Sequence, residues 1–402
     1  MTKTIAIFGA LDTKGQEFAF LKSEIEGRGF KTLVVDTGVL GAPAFPPDIT
    51  HEQVATAGGV TLADLVAKAD RGEAMAAMQT GAAAVARLLH TEGKIDGIIS
   101  MGGGGGTSIA TAAMRALPVG FPKLMVSTVA SGDTSGFVGT SDITMMYSVV
   151  DVAGINRISR RIYTNAAGAI CGMVSGEAPQ ADDKPIIAVS MFGNTTRAVN
   201  QARGLLEAAG YEVLVFHATG SGGRTMESLI SDGLITAVLD MTTTEWADEL
   251  LGGVLSAGST RLDAAAKAGI PQIVVPGCID MCNFWALDTV PEKYKSRNLY
   301  SWNPNVTLMR TTPAENAQLG VIFADKLNTS TGKVQVYIPM RGVSELDLEG
   351  KPFYDPAALP SFVASLKGRL RADIPVVELD MDINDPLFAE ATVNALLQLL
   401  GK

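Results

Sequence analysis

The sequence predicts an α/β protein of two Rossmann-like lobes, each with an open, mainly parallel sheet, facing one another across a cleft. Short β-rich apolar runs alternate with helical patterns, the mark of parallel strands joined by helices. The pattern also recurs, because "KTIAIFGALDTKGQEFAFLKSEIEGRGFKTLVVDTG" is echoed by "KPIIAVSMFGNTTRAVNQARGLLEAAGYEVLVFHATG". A chain of 402 residues, 47% hydrophobic, is long enough to bury two cores of ordinary size.

In the first half, strand, loop, helix and strand follow one another, and Phe18, Leu21 and Ile25 give the helix an apolar stripe that ends at "GRG", 27 to 29. About 40 residues around "HEQVATAGGVTLADLVAKADRGEAMAAMQTGAAAVARLLH" read as extra helices that enlarge this lobe. "IDGIISMGGGGGTSIATAAM" is a strand, a glycine turn and a helix, and "PKLMVSTVASGD" is a fourth strand with its loop. The second half repeats the plan, with Val199, Ala202 and Leu206 as the matching stripe and "ITAVLDMTTTEWADELLGG" and "PQIVVPGCIDM" as counterparts. The polar stretch "EAPQADDKP", 177 to 185, places the division, giving lobes 1–180 and 181–402. "KVQVYIPM" and "PVVEL" are two further strands of the second lobe, with "RGVSELDLEGKPFYDPAALP" between them as a long ordered loop.

Composition excludes some functions. Lys and Arg total 32 against 42 acidic residues, a formal charge of −10, and no basic run carries interleaved aromatics, so nucleic acid is not an expected partner. The apolar run near the N-terminus breaks at Gly9, too short for a signal peptide or a bilayer span, so a cytoplasmic protein with no membrane contact is expected. Cys171, Cys278 and Cys282 suit a reducing compartment, and no histidine stands near the last two to complete a zinc site, so no metal ligand set is assigned.

In open α/β sheets, ligands collect beyond the carboxyl ends of the strands, and a glycine turn lets backbone N–H groups approach a phosphate at a helix N-terminus. Gly102, Gly103, Gly104, Gly105 and Gly106, followed by Thr107, have that order. They do not complete a P-loop, where Lys would stand in place of Gly106, nor a GxGxxG, whose last glycine would replace Thr107. A tight turn between packed elements remains the alternative. Other strand ends add Asp12, Thr13 and Lys14, Asp36 where a ribose-binding carboxylate often sits, and Ser127, Thr128, Ser131, Gly132, Asp133 and Thr134. Hydroxyl and amide donors suit phosphate oxygens, and carboxylates suit Mg²⁺ riding with them. A nucleotide is favoured, and a sugar phosphate would satisfy the same donors.

The second lobe offers His217 and Arg224 around another glycine turn, Glu245 and Asp248 after three threonines, and Asp280 with Asn283. His217, Glu245, Asp280 and Arg224 are the candidates for general acid/base work on a carboxylate-bearing substrate. The competing reading makes His217 a structural histidine and Glu245 a first-turn acid facing the helix dipole. Arg157, Arg160 and Arg161 read as a solvated or salt-bridged helix face.

The stretches "GALDTKGQEF", "MGGGGGTSIATAAMRALPVGFPKLMVSTVASGDT", "VGTSDITMMYSVVDVAGIN", "VFHATGSGGRTME", "LDMTTTE", "PGCIDMCNFW", "NPNVTLMRTTP" and "INDPLF" resemble, in order from about residue 4 to 395, the Tm-one-like ATP-binding domain family. The resemblance implies two Rossmann-like lobes, ATP binding and a homodimer, and the strand-end carboxylates suit Mg²⁺ accompanying the phosphates. Longer relatives fuse this domain to a TIM barrel, which implies a separately encoded TIM-barrel partner here; the acid/base candidates of the second lobe point to a small anionic metabolite as substrate. Two alternatives stand beside that reading: a non-catalytic ATP-regulated interaction module, and a sugar-phosphate or keto-acid enzyme using the cleft. The family pattern carries histidines in the places of Trp302, Met381 and Asp382, so any activity that depends on those histidines is lost or changed in this chain.

Overall fold

The computed structural model describes residues 2–177, 179 and 183–402, so the stretch 177–185 read as the division lies partly outside the described residues. The chain forms two compact units, Met1–Gln180 and Ala181–Lys402.

Unit 1 contains strands β1 (Thr4–Gly9), β2 (Lys31–Asp36), β3 (Gly97–Gly102), β4 (Lys123–Ser127) and β5 (Thr144–Tyr147). They pair in the order β2-β1-β3-β4-β5, all parallel. Its helices are α1 (Leu11–Glu26), α2 (His51–Ala57), α3 (Leu62–Lys68), α4 (Arg71–Thr91), α5 (Gly104–Arg115), α6 (Ser135–Val138) and α7 (Arg157–Ser175). Successive strand side chains point to opposite faces, and helices cover both, which is why the strands read as unbroken apolar runs. Phe8, Val35, Ile98 and Met125 pack against Met78, Val85 and Met114 of α4 and α5. Ile7, Ile99 and Leu124 pack on the other face against the stripe of α1, Phe18, Leu21 and Ile25, and against Tyr163 and Ile170 of α7.

Unit 2 contains β6 (Ile186–Met191), β7 (Glu212–His217), β8 (Ala237–Asp240), β9 (Gln272–Val274), β10 (Met281–Phe284), β11 (Leu299–Asn303), β12 (Val306–Arg310), β13 (Val334–Pro339) and β14 (Val376–Leu379). Six of them form a parallel sheet in the order β7-β6-β8-β9-β13-β14. Its helices are α8 (Thr196–Ala208), α9 (Ser221–Ser231), α10 (Glu245–Leu251), α11 (Asp263–Ala268), α12 (Pro313–Leu327), α13 (Ala358–Arg369) and α14 (Pro386–Leu399). The internal repeat is thus a repeat of topology, since the first four strands of each sheet run second, first, third, fourth. Three features depart from the sequence reading, the first being β5, a fifth strand beyond the four read in the first lobe. Strands β10, β12 and β11 form a separate antiparallel sheet, and α13 starts at Ala358, inside the segment read as loop.

The insertion is helices α2 to α4. Thr50 and Gln53 form a capping box at the start of α2, Thr61 caps α3 and Asp70 caps α4 through the Glu73 amide. Helix α4 lies so close to α2 that a Cβ at Gly81 would sit 1.9 Å from the Val54 carbonyl oxygen. Among the described residues no helix is long and apolar enough to cross a membrane. Gly81→Ala is expected to lower the unfolding free energy in urea titration by about 1–3 kcal/mol, as overpacking does, while Gly72→Ala, whose nearest neighbour is a side-chain oxygen at 3.3 Å, should change it far less.

Candidate functional site

The strand order of unit 1 reverses between β1 and β3, and the chains leaving these two strands diverge to opposite faces and open a crevice. A cavity of about 580 Å³ lies there, lined by Asp12 and Thr13 after β1, by Gly105 and Gly106 at the start of α5, and by residues of the insertion.

Helix α5 begins at Gly104 with Gly103 as its N-cap, and no side chain caps it. The glycines of the turn differ in what they do. A Cβ at Gly102 would press to 3.1 Å on Gly106 Cα, so a side chain there would crowd the turn. A Cβ at Gly104 would meet nothing within 4 Å, and at Gly105 or Gly106 the nearest atom would be 3.7 Å away, an ordinary contact. None of the five has a positive φ. Thr107 points inward, with its hydroxyl 2.8 Å from the Gly103 carbonyl and 2.6 Å from the Ser127 hydroxyl, and both residues are buried. That pair ties the glycine turn to the end of β4, where the Thr128 amide also donates to the Gly102 carbonyl.

Asp12 links two strand ends, because Oδ2 accepts from the amides of Val39 (3.2 Å) and Leu40 (2.8 Å). Its Oδ1 is shielded from solvent and has no hydrogen-bond partner. Asp36 is fully buried, with Oδ1 accepting from the Leu11 and Gly38 amides and Oδ2 lying 3.0 Å from His51 Nδ1. Its oxygens hold the crevice walls together, so the structure places this residue behind the cavity lining. The Lys14 ammonium donates to the Val152 carbonyl. Ser131, Gly132 and Asp133 are exposed beyond β4, and the Ser135 amide and hydroxyl hold the Asp133 carboxyl below its usual range. Thr134 is the N-cap of α6. Arg157, Arg160 and Arg161 stand exposed on α7.

The equivalent position in unit 2, between β6 and β8, is filled. Thr242, Thr243 and Thr244 are buried, and their hydroxyls bond to Thr195 (2.8 Å), to the Val275 carbonyl (3.0 Å) and to the Met281 carbonyl (3.2 Å). Next to them lies a buried guanidinium that the sequence did not signal. Arg261 makes a bidentate pair with Asp240 (2.6 Å twice), bonds Glu245 at 2.8 Å and reaches Glu227 at 3.2 Å. Glu245 Oε1 accepts from the Gly220 and Gly223 amides, so both its oxygens are engaged. Burial pushes the Glu245 and Glu227 carboxyls up, against the pull of Arg261.

Three of the four candidate catalytic residues belong to one turn, since the His217 carbonyl lies 1.8 Å from where a Cβ of Gly222 would be. Glu245 holds the Gly220–Gly223 turn, and Arg224 on the same turn donates to the Ser256 carbonyl. His217 is exposed at the end of β7. Asp280 is fully buried, with Oδ2 accepting from Ser344 at 2.7 Å and Oδ1 without a partner, and burial raises its carboxyl. Trp302 lies near Gly193, 3.9 Å from where its Cβ would be, and Asn384, three residues after Met381 and two after Asp382, donates to the Asn194 carbonyl. Among the described residues no group of three or more His, Cys, Asp or Glu is arranged to hold a metal ion.

Residues 3–179 match the N-terminal domain, and residues 184–400 the C-terminal domain, of the family described as "Uncharacterised protein family (UPF0261)". The chain belongs to the UPF0261 family. A UPF0261 protein of Clostridium tetani is 52% identical over 404 residues, the full length of both chains. One from Rhizobium meliloti is 48% identical over 98% of each chain. The ToMV resistance protein Tm-1(GCR237) of Solanum lycopersicum is 42% identical over 83% of this chain, which spans 45% of the tomato protein's length. Among solved structures, UDP-N-acetylglucosamine 2-epimerase from Rickettsia bellii aligns over 100% of this chain and 96% of its own at 13% identity with a TM-score of 0.24, too low to carry an argument.

Two tests probe the filled edge of unit 2 in this UPF0261 chain. Arg261→Met leaves the buried Asp240 and Glu245 and the partly buried Glu227 without their cation and is expected to cost about 3–5 kcal/mol of stability at neutral pH, read by urea unfolding. Burial also pushes the Asp248 carboxyl up to about 7, although Asn283 and the Leu255 amide bond to it. Its native value lies above the unfolded value of about 4, so its contribution to stability is complete below that pH and is lost as pH rises through about 7. Asp248→Asn should flatten the pH dependence of unfolding across that window, the new amide being accommodated by Asn283, whose Oδ1 has no partner.

Proposed function

We propose that unit 1 binds ATP in the β1/β3 crevice, with the phosphates on the first-turn amides of α5. The carrying observation is that packing does not require glycine at 104, 105 or 106. Glycine in a helix costs up to about 1 kcal/mol relative to alanine, so three in succession weaken α5 without benefit to the fold. Their use is backbone exposed for close approach by a ligand, at a helix end whose free amides and dipole favour an anion.

Mg²⁺ would travel with the phosphates and keep several of its waters; Asp12 lines the cavity, and its partnerless Oδ1, shielded from solvent, would reach the ion only after a local shift. In keeping with the resemblance, the protein acts as a homodimer with a separately encoded TIM-barrel partner on a small anionic metabolite. The extra length of the tomato relative is compatible with such a partner. A second reading, an ATP-regulated interaction module without turnover, draws support from unit 2, where both oxygens of Glu245 are engaged within the chain.

Calorimetric titration with ATP, with and without Mg²⁺, followed by a phosphate-release assay, tests both. ATP is expected to bind and to raise the melting temperature. Gly104→Asp has open space for its side chain, so it should fold normally and lose binding through charge repulsion. Retained binding by that variant would remove the site, and phosphate release would decide between turnover and sensing.

A further inference from the structure

We propose that Arg71 is the anion clamp of the unit 1 crevice, and that Leu40 and Val66 on its lips form the slot for the nucleotide base. This rests on the nucleotide reading above and adds residues to it that no spacing in the sequence points to.

Arg71 is the first residue of α4, and its Nη2 lies 3.9 Å from where a Cβ of Gly105 would be. Its guanidinium is exposed and has no hydrogen-bond or ion-pair partner among the described residues, whereas Asp70 beside it caps the Glu73 amide. A cation in the first turn of a helix opposes the helix dipole, and here it also faces the positive end of α5. The two acids of the same turn are already engaged, Asp70 with the Glu73 amide and Glu73 with Lys68, so the guanidinium faces the α5 amides with no anion among the described residues joining them. A phosphate would take hydrogen bonds from the fork of Arg71 and from the α5 amides together.

The lining beside Arg71 is largely apolar. Leu40 is 88% exposed and Val66 56% exposed, both on the cavity lining, with Met75 and Met78 deeper in the wall. The corner between α3 and α4 turns at Ala69 with φ 51°, a left-handed conformation that costs a non-glycine residue roughly 1–2 kcal/mol. The strained corner sets Val66 and Arg71 on one cavity. Uncovered apolar lips beside an unpaired cation fit a ligand that is flat and apolar at one end and anionic at the other, as a purine nucleotide is.

The test titrates wild type, Arg71→Ala, Arg71→Lys and the double variant Leu40→Ser/Val66→Asn with ATP and, separately, with inorganic tripolyphosphate, at fixed Mg²⁺. All three residues are exposed, and thermal unfolding checks each fold. Arg71→Ala is expected to weaken both ligands about tenfold or more, with Arg71→Lys between it and wild type. The double variant should weaken ATP about tenfold and leave tripolyphosphate within about twofold. Unchanged binding of both ligands by Arg71→Ala overturns the clamp, and equal effects of the double variant on both ligands overturn the slot. Wild type that binds tripolyphosphate but not ATP overturns the nucleotide reading and the slot, leaving the clamp to stand or fall on tripolyphosphate alone. Wild type that binds neither overturns all three.

Discussion

All five strands of the first sheet point the same way, and their order reverses once. Everything distinctive about unit 1 depends on that constraint. A parallel sheet delivers every strand's carboxyl end to one edge, and the reversal between β1 and β3 leaves a gap that neither flanking helix fills. The backbone must turn sharply there, and buried polar groups at the turn must find partners. One oxygen of Asp36, the Thr107–Ser127 pair and one oxygen of Asp12 meet that demand from within the chain. The open first turn of α5 and the other oxygen of Asp12 do not.

Unit 2 shows what the same topology does when the gap is closed from inside. Three threonine hydroxyls occupy the place of the glycine turn, and a buried guanidinium ties Asp240 at the end of β8 to Glu245 of α10, which holds the turn after β7. Removing an arginine and three carboxylates from water is expensive, and a hydrophobic plug of similar size would stabilise as well or better. The network instead fixes geometry. Glu245 grips the amides of Gly220 and Gly223 so closely that a Cβ at Gly223 would lie 2.2 Å from its carboxylate.

The architecture was legible because periodicity reports burial directly. Strands covered on both faces read as apolar runs, and the stripes of α1 and α8 named their buried sides. Contacts between elements were not legible. Asp36 stands where a ribose ligand would, yet its oxygens serve Leu11, Gly38 and His51, which only the folded chain brings together. Arg261 lies in "GSTRLDAAAK", a stretch with no signal of its own, and its three carboxylate partners come from 16 to 34 residues away. Strands β10 to β12 escaped because they are four or five residues long and pair outside the main sheet. Arg71 looked like an ordinary residue of an inserted helix, since nothing local shows that α4 points its first turn at α5.

The run at 104 to 106 has a consequence for engineering. Alanine at each of these positions would fill vacant space, strengthen the helix and strain nothing. Laboratory selection for heat resistance alone would therefore drift toward alanine there, hardening the protein while narrowing its crevice. Durability and access compete for the same three residues, so a thermostabilised version should be screened for ligand uptake before its melting curve is trusted as an improvement.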